Sequence, residues 1–322
     1  MAAMVKVFTL GGTISAAGGG AGRLSGTEVL AGAGLSDEVD IEVHDVRRVP
    51  SSSLTFADVA SLAADVDAAR SAGAGVVVVQ GTDTLEETAF LLDLMCAPGA
   101  PVVLTGAMRR PDAAGPDGPA NLAAALAVAV DPACHGLGAV TVFGDEIHAA
   151  RHVRKAHTTA LVPFCSPGAG PLGRVVEGRP RLLLRPPGPV VESPLRPTRS
   201  ARVALLTLTL GDSGELLDAV DDRFDGLVVA AFGAGHVPTW LVEPLAGVAT
   251  RMPVVLASRT GAGPLLSTTY RGPGSEYDLL SRGLLSAGQL DAVKARLLLH
   301  ALLAAGMQPE QLQGHFDRLA GA

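Results

Sequence analysis

The sequence predicts an α/β protein with a larger N-terminal three-layer α/β domain and a smaller C-terminal three-layer α/β domain. Apolar β-branched runs such as Val76–Val79 alternate along the chain with helical segments, and unbroken apolar strands are typical of parallel sheets that are covered on both faces. Five prolines lie between Arg185 and Pro197, and such a stretch forms a stiff spacer. We therefore predict domains at residues 1–185 and 202–322, joined by a linker at 186–201.

In the N-terminal domain, strands and helices are expected to alternate in chain order. Thr55 is the expected N-cap of a helix that runs to about Ala72, because a threonine side chain can accept a hydrogen bond from the first turn. The expected strands are Val5–Ile14, Asp40–Val46, Val76–Val79, Ala100–Met108 and Gly138–Ile147; further helices begin at Ser25 and Asp117, and Pro163–Gly173 is expected to be a loop.

The C-terminal domain repeats this alternation, which indicates a second layered sheet. Its expected strands are residues 202–208, 226–231 and 253–258, and its expected helices are 212–220, 239–250 and 286–305.

Composition narrows the class of protein. The 322 residues are 48% hydrophobic and carry a formal net charge of −7, so the basic surface of a nucleic-acid binder is not expected. No stretch is apolar for long enough to span a bilayer, and the N-terminus lacks the apolar core of a signal peptide, so we expect a cytoplasmic protein without membrane partners. Three widely spaced cysteines, Cys96, Cys134 and Cys165, predict small buried thiols and no disulfide framework.

Two strand ends carry hydroxyl groups. Val76–Val79 runs into Gln80-Gly-Thr-Asp-Thr84, and ligands of open α/β sheets bind beyond the carboxyl ends of the strands. An alternative is that Thr82 or Asp83 only caps the next helix, with Glu86 completing a capping box. The first strand likewise runs into Thr9-Leu-Gly-Gly-Thr-Ile14, where glycines allow a sharp turn close to a ligand.

These two segments resemble the hallmarks of the bacterial-type L-asparaginases that use threonine, and three further segments follow in the family's order. They are Gly106-Ala-Met-Arg109, Asp117-Gly-Pro-Ala-Asn-Leu122 and the segment around Lys155. The resemblance implies Thr13 as nucleophile and a Thr82, Asp83, Lys155 triad. It also implies that Ser51, Gly12, Gly81, Asp83 and Ala107 bind substrate, and that the family's homodimer or homotetramer forms.

The implied reaction is hydrolysis of L-asparagine to L-aspartate and ammonia through an acyl-enzyme, with no cofactor and with minor glutaminase activity possible. A threonine hydroxyl needs a base. In the implied arrangement Asp83 holds Lys155, which acts through Thr82, and backbone amides of the Gly81–Asp83 turn form an oxyanion site. Ser51 and Asp83 would bind the two charged ends of the amino acid.

The chain departs from the family pattern at several positions. The glycine-rich stretch Ser15–Gly22, a plausible lid, lacks the tyrosine that family members commonly place there. Gln80 replaces the usual histidine, and in Gly233-Ala-Gly-His236 a histidine replaces an asparagine that family members donate across a subunit contact. Glu276 is the candidate for the acid donated with it, and Tyr270 could also enter a neighbouring site.

Other functions remain open at this level. His148, His152 and His157 could place two histidines on one helical face, but no carboxylate or cysteine pattern accompanies them, so no metal site is predicted. An amidase subunit supplying ammonia to a tRNA-dependent amidotransferase would carry an additional N-terminal domain. A catalytically weak amino-acid-binding homologue is favoured by the absent tyrosine and by His236. A nucleotide-binding protein lacks support, since no phosphate-binding glycine motif follows a strand.

Overall fold

A computed structural model describes residues 3–17, 22–31, 39–189, 191–220 and 222–320 of the chain. They form two compact units, Met1–Pro194 and Leu195–Ala322. Each unit has a sheet with helices packed against it, so the predicted two-domain α/β class is confirmed.

Twelve strands occur among the described residues of the first unit. They are β1 (Ala3–Thr9), β2 (Ala16–Ala17), β3 (Gly22–Arg23), β4 (Val39–Asp45), β5 (Gly75–Val79), β6 (Val102–Thr105), β7 (Ala139–Phe143), β8 (Glu146–Ala149), β9 (Arg154–Lys155), β10 (Phe164–Cys165), β11 (Gly173–Val176) and β12 (Arg179–Leu182). Eight of them form one sheet in the order β12-β11-β8-β7-β6-β5-β1-β4. Strands β4, β1, β5, β6 and β7 are parallel, so their carboxyl ends meet at one edge of the sheet.

The helices of this unit are α1 (Gly26–Ala31), α2 (Phe56–Ser71), α3 (Leu85–Met95) and α4 (Gly118–Val130). As predicted, Thr55 caps α2, in a capping box with Asp58. Helix α4 packs on the central strands, where Leu122 and Ala125 join a core with valines of β1, β5 and β6. This packing excludes water from the middle of the sheet and leaves its edges for polar chemistry.

The predicted single strand Gly138–Ile147 is wrong, because the chain reverses inside it. Gly144 and Asp145 both have positive φ, 56° and 62°, as a two-residue hairpin turn requires. They join β7 to β8 in an antiparallel pair. The predicted loop Pro163–Gly173 also contains β10, which pairs with β9.

The second unit contains a four-stranded parallel sheet of β13 (Val203–Thr207), β14 (Gly226–Ala231), β15 (Val254–Ser258) and β16 (Leu285–Ser286) in the described residues. Its helices are α5 (Val242–Ala249), α6 (Glu276–Ser281), α7 (Ala292–Ala304) and α8 (Pro309–Ala320). The predicted helix at 212–220 is instead a short 3-10 turn, Glu215–Ala219. The helix predicted at 286–305 begins later, where Asp291 accepts from the amides of Val293 and Lys294.

None of the described helices has the length and apolar character needed to cross a bilayer. Cys96 and Cys134 are buried, as predicted, whereas Cys165 is partly exposed.

Candidate active site

The ends of β1 and β5 touch through two glycines. A Cβ atom on Gly12 would lie 2.2 Å from the amide nitrogen of Gly81 and 2.3 Å from its Cα. No side chain at residue 12 fits in so narrow a gap, so the two backbones can approach because Gly12 has no Cβ. Thr13 and Thr82 each follow a touching glycine, and the structure therefore brings the two predicted hydroxyl-bearing segments together.

Thr13 lies in a single 3-10 turn, Thr13–Ser15, and not in the strand predicted to reach Ile14. The Ser15 amide and hydroxyl both donate to the Gly12 carbonyl, at 3.2 and 3.0 Å, which closes the turn. Thr13 is half-buried, whereas Ile14 is buried. Ile14 packs against the start of α4 at Gly118, which also contacts Ala107. The turn is thereby held against the segment that follows β6.

Lys155 reaches the second strand end. Its Nζ lies 2.9 Å from Thr82 Oγ1 and 2.8 Å from Asp83 Oδ1. Thr82 is buried, the Lys155 side chain is 17% exposed and Asp83 is 67% exposed, so the amine lies between the protein interior and an open rim. Lys155 therefore contacts both of the other predicted triad members.

A further carboxylate fixes the backbone of Lys155. The Lys155 amide donates to Glu86 Oε2, and Lys155 pairs with Phe164 across β9 and β10. The alternative in which Thr82 or Asp83 caps α3 is wrong, because Thr84 is the N-cap and makes no side-chain cap bond. Glu86 instead joins α3 to the lysine strand, a role that the sequence did not reveal.

Ser51 borders the same strand end. It is 3% exposed, and its buried hydroxyl has no hydrogen-bond partner among the described residues. A Cβ on Gly81 would lie 2.8 Å from this hydroxyl. The segment is anchored by Thr84, whose hydroxyl donates to the Ser51 carbonyl at 2.9 Å. An unsatisfied buried hydroxyl is costly, so Ser51 is well placed to bond a ligand.

The turn after β6 is held by two polar residues of α4 and its N-cap. The Asp117 carboxylate accepts from the amides of Met108 and Arg109 at 2.9 and 2.8 Å. Asn121 donates to the Gly106 carbonyl and accepts from the Gly144 amide, both at 3.0 Å. These bonds hold the backbone on either side of Ala107, which is 1% exposed.

In the second unit, three predicted residues cluster. The Glu276 side chain is fully buried, and its Oε1 accepts from the amides of Thr269 and Tyr270 at 3.2 and 2.8 Å. Its Oε2 lies 3.4 Å from His236 Nε2, a contact too poorly aligned to satisfy that oxygen as a hydrogen bond. The rings of His236 and Tyr270 meet edge-on at 4.7 Å. Glu276 Oε2 therefore accepts no hydrogen bond from the part of the chain that the structure describes, and burial of a carboxylate is costly unless it is paired.

An open cavity of about 320 Å³ borders the lysine cluster and is lined by Asp83, Lys155, Ala156, His157 and Thr158. The helical arrangement considered for His148, His152 and His157 is wrong, since this stretch comprises β8, a turn and β9. Among the described residues, no group of three or more His, Cys, Asp or Glu side chains could hold a metal ion. The predicted lid falls largely on residues 18–21, outside the described residues.

Comparisons with known proteins match both units. Residues 4–187 match the family described as Asparaginase, N-terminal, and residues 202–316 match the Glutaminase/Asparaginase C-terminal domain. The chain is 41% identical to the probable L-asparaginase of Deinococcus radiodurans over 87% of this chain and 86% of that one. It is 32% identical to the L-asparaginase of Bacillus licheniformis over 93% and 95%. The crystal structure of a probable cytoplasmic L-asparaginase from Campylobacter jejuni superposes with a TM-score of 0.87 at 29% identity, covering 98% of this chain and 99% of that one.

Proposed function

The chain belongs to the asparaginase family and is an amidohydrolase that acts on L-asparagine, and we propose that it works through an acyl-enzyme on Thr13. The observation that carries this proposal is the Lys155 cluster, in which an amine contacts both Thr82 and Asp83 beside the touching glycines. Threonine, lysine and aspartate in this arrangement can move a proton without a metal ion.

In the first step, Thr13 Oγ1 attacks the side-chain carbonyl carbon of asparagine and gives up its proton. The tetrahedral intermediate then expels the amide nitrogen, which leaves as ammonia after taking up a proton. Water attacks the resulting ester, releases aspartate and returns the proton to Thr13. Amides of the Gly81–Asp83 turn are the proposed donors to the oxyanion, an interaction worth about 3 kcal/mol per donor.

Lys155 and Thr82 are the proposed proton path. When Nζ donates to Thr82 Oγ1, the Thr82 hydroxyl proton is available for a second acceptor; when Nζ accepts, Thr82 can take a proton from elsewhere. The 2.9 Å separation supports exchange in both directions. Asp83 holds the amine in this position from its exposed side.

Ser51 and Asp83 are the proposed ligands of the two charged ends of the substrate, with Gly12, Gly81 and Ala107 as close-fitting walls. Glu276 and His236 are proposed to bind substrate in the site of a neighbouring copy within a homodimer or homotetramer. A cytoplasmic location and minor glutaminase activity are also proposed; the description of the Campylobacter jejuni relative supports the former and the name of the C-terminal domain family the latter.

Ammonia release from asparagine and glutamine, measured side by side, tests the proposal. Thr13→Ala should abolish turnover, and Thr82→Val and Lys155→Met should each lower kcat by a factor of about 10²–10⁴, the usual contribution of general acid–base catalysis. Lys6→Met is the matched control, because Lys6 forms a partly exposed ion pair with Glu42, and such pairs contribute little to stability. Full activity of Thr13→Ala would disprove the nucleophile, and a change of only a few-fold in Thr82→Val or Lys155→Met would disprove the triad.

Ammonia release together with calorimetric binding of asparagine separates the proposal from a catalytically weak amino-acid-binding homologue. Such a homologue would bind asparagine in calorimetry with no ammonia release above the Thr13→Ala background.

A further inference from the structure

A second cavity of the first unit lies at the opposite edge of the sheet from Lys155. It measures about 120 Å³ and is bordered by the segments that precede β6 and β7, including Gly99 and Gly138. Since a single water needs about 10–15 Å³ of such space, the cavity has room for a small organic molecule. None of the residues assigned to the asparaginase reaction lines it.

Two arginines line this cavity, and neither uses all of its donors. Arg151 is 7% exposed and donates from Nη2 to the Gly188 carbonyl at 2.6 Å. Arg70 donates from Nη1 to the Ala97 carbonyl at 2.6 Å and to Asp67 at 3.2 Å. The Nε atoms of both arginines are buried without an acceptor in the described part of the chain. Buried guanidinium groups with unused donors favour an oxyanion.

A carboxylate faces the same space. Asp93 Oδ1 accepts from the Ala139 amide at 2.8 Å, and a Cβ on Gly138 would lie 2.3 Å from that oxygen, so a glycine is needed to seat it. Burial raises the pKa of Asp93 to about 6, although Arg151, the Ala139 amide and Arg70 act to lower it. Near neutrality the carboxyl group is therefore mostly ionised but close to its titration range.

The remaining walls are apolar. They are formed by buried side chains of α3, β6 and the two neighbouring segments, namely Leu92, Val102, Leu137 and Val191. A bare inorganic anion would leave this surface without a partner, whereas a short hydrocarbon chain would cover it.

We propose that this cavity is a binding site for a small carboxylate that carries a short apolar chain. The ligand carboxylate bonds to the guanidinium groups of Arg70 and Arg151, and its chain lies against the apolar walls. Two sources share this chemistry, a simple monocarboxylic acid and an apolar α-amino acid. Asp93 distinguishes them, because it repels a lone carboxylate and attracts an α-ammonium group.

Calorimetric titration of the full chain with butyrate and with L-2-aminobutyrate tests the site. At least one probe should bind saturably, with a Kd of about 1 mM, and Arg151→Met should weaken binding at least about tenfold. Arg179→Met is the matched control, since Arg179 is an exposed arginine of the same unit. Ammonia release by each variant reports whether it is folded, and Arg70→Met provides a second test if Arg151→Met does not fold. Absence of saturable binding by both probes, or binding unchanged in the folded arginine variants, would overturn the proposal.

Asp93→Asn identifies the ligand class. Weaker binding of 2-aminobutyrate in Asp93→Asn, with butyrate unaffected or improved, indicates an amino-acid site. A monocarboxylate site is indicated if the unmutated protein binds butyrate more tightly as the pH falls through about 6, while binding by Asp93→Asn does not change in this way. The other charged or titratable groups here are Arg70 with its partner Asp67, Arg151, and the Cys96 thiol. If neither probe responds to Asp93→Asn, the assignment of a ligand beside Asp93 is wrong.

Discussion

The contact between Gly12 and Gly81 leads to the strongest prediction, namely that one methyl group added at residue 12 moves apart the two segments of the proposed active site. Gly12 has φ 95° and ψ −169°, a conformation that is almost restricted to glycine and costs other residues about 1–3 kcal/mol. In addition, the new Cβ would lie 2.2 Å from the Gly81 amide nitrogen. Backbone atoms cannot rotate away, so Gly12→Ala must move one strand end relative to the other.

The displacement follows from these distances. Ordinary carbon contacts need about 3.5 Å, so the segments carrying Thr13 and Thr82 must separate by about 1 Å. Misplacement of reacting groups by about 1 Å lowers the rate by about a factor of 10². Gly12→Ala should therefore reduce kcat for asparagine about a hundredfold, while the free energy of unfolding falls by about 1–3 kcal/mol.

Gly73→Ala separates backbone strain from displacement. Gly73 also has a positive φ, 83°, but a Cβ there would meet nothing within 4 Å. This variant should lose stability and keep its kcat. Ammonia release and urea unfolding, measured on both variants, give the comparison. If Gly12→Ala keeps a kcat within a few-fold of the unmutated protein while remaining folded, the close approach does not position the active site.

Three other predictions concern single side chains. Folding raises the pKa of Asp93 from 3.8 to about 6. The contribution of this group to stability is therefore full below about pH 4 and is lost as the pH rises through 6. The advantage of Asp93→Asn over the unmutated protein in the free energy of unfolding should grow over this range, by up to about 3 kcal/mol. Burial, aided by Arg296, lowers the pKa of His300 from 6.5 to about 4. The contribution of this group to stability is therefore full above about pH 6.5 and is lost as the pH falls through 4. In urea unfolding, His300→Leu should lose less stability than the unmutated protein between these pH values, and an equal loss in the two proteins would contradict this. Glu86→Ala removes the acceptor of the Lys155 amide and should lower kcat about tenfold, because a charge-assisted hydrogen bond is worth about 1.5 kcal/mol. The control is Asp65→Ala at an exposed position, which should have no effect on ammonia release.

The parallel strands β4, β1, β5 and β6 could be predicted because their signal is local. Val76–Val79 lies within β5, which the structure gives as Gly75–Val79, since a run of buried valines needs no information from elsewhere in the chain. The cap of α2 was predictable for the same reason, because Thr55 and Asp58 are three residues apart. The turn at Gly144 was not predicted, although Gly-Asp is compatible with a tight hairpin, because the apolar residues on both sides read as one strand.

The lysine cluster could not be derived from local pattern. Lys155 lies 73 residues from Thr82 along the chain, and its position depends on the reversal at Gly144, on the pairing of β9 with β10 and on the contact with Glu86. Only the resemblance to a family pointed to this lysine.

The sheet and the lysine strand place different constraints on the same site. Parallel pairing in register fixes the ends of β1 and β5 relative to each other, and the two glycines then set their separation. Lys155 lies outside the main sheet, in the two-stranded sheet of β9 and β10. Phe164 of β10 packs on Phe143 of β7, with ring centroids 5.1 Å apart. Since this packing is apolar and buried, it holds the backbone of Lys155, whereas the ion pair between its Nζ and Asp83 orients the amine but contributes little to stability, because the Asp83 side chain is 67% exposed. The backbone of Lys155 is therefore held by contacts other than the ion pair, and the exposure of the Asp83 side chain is compatible with its proposed role in binding substrate.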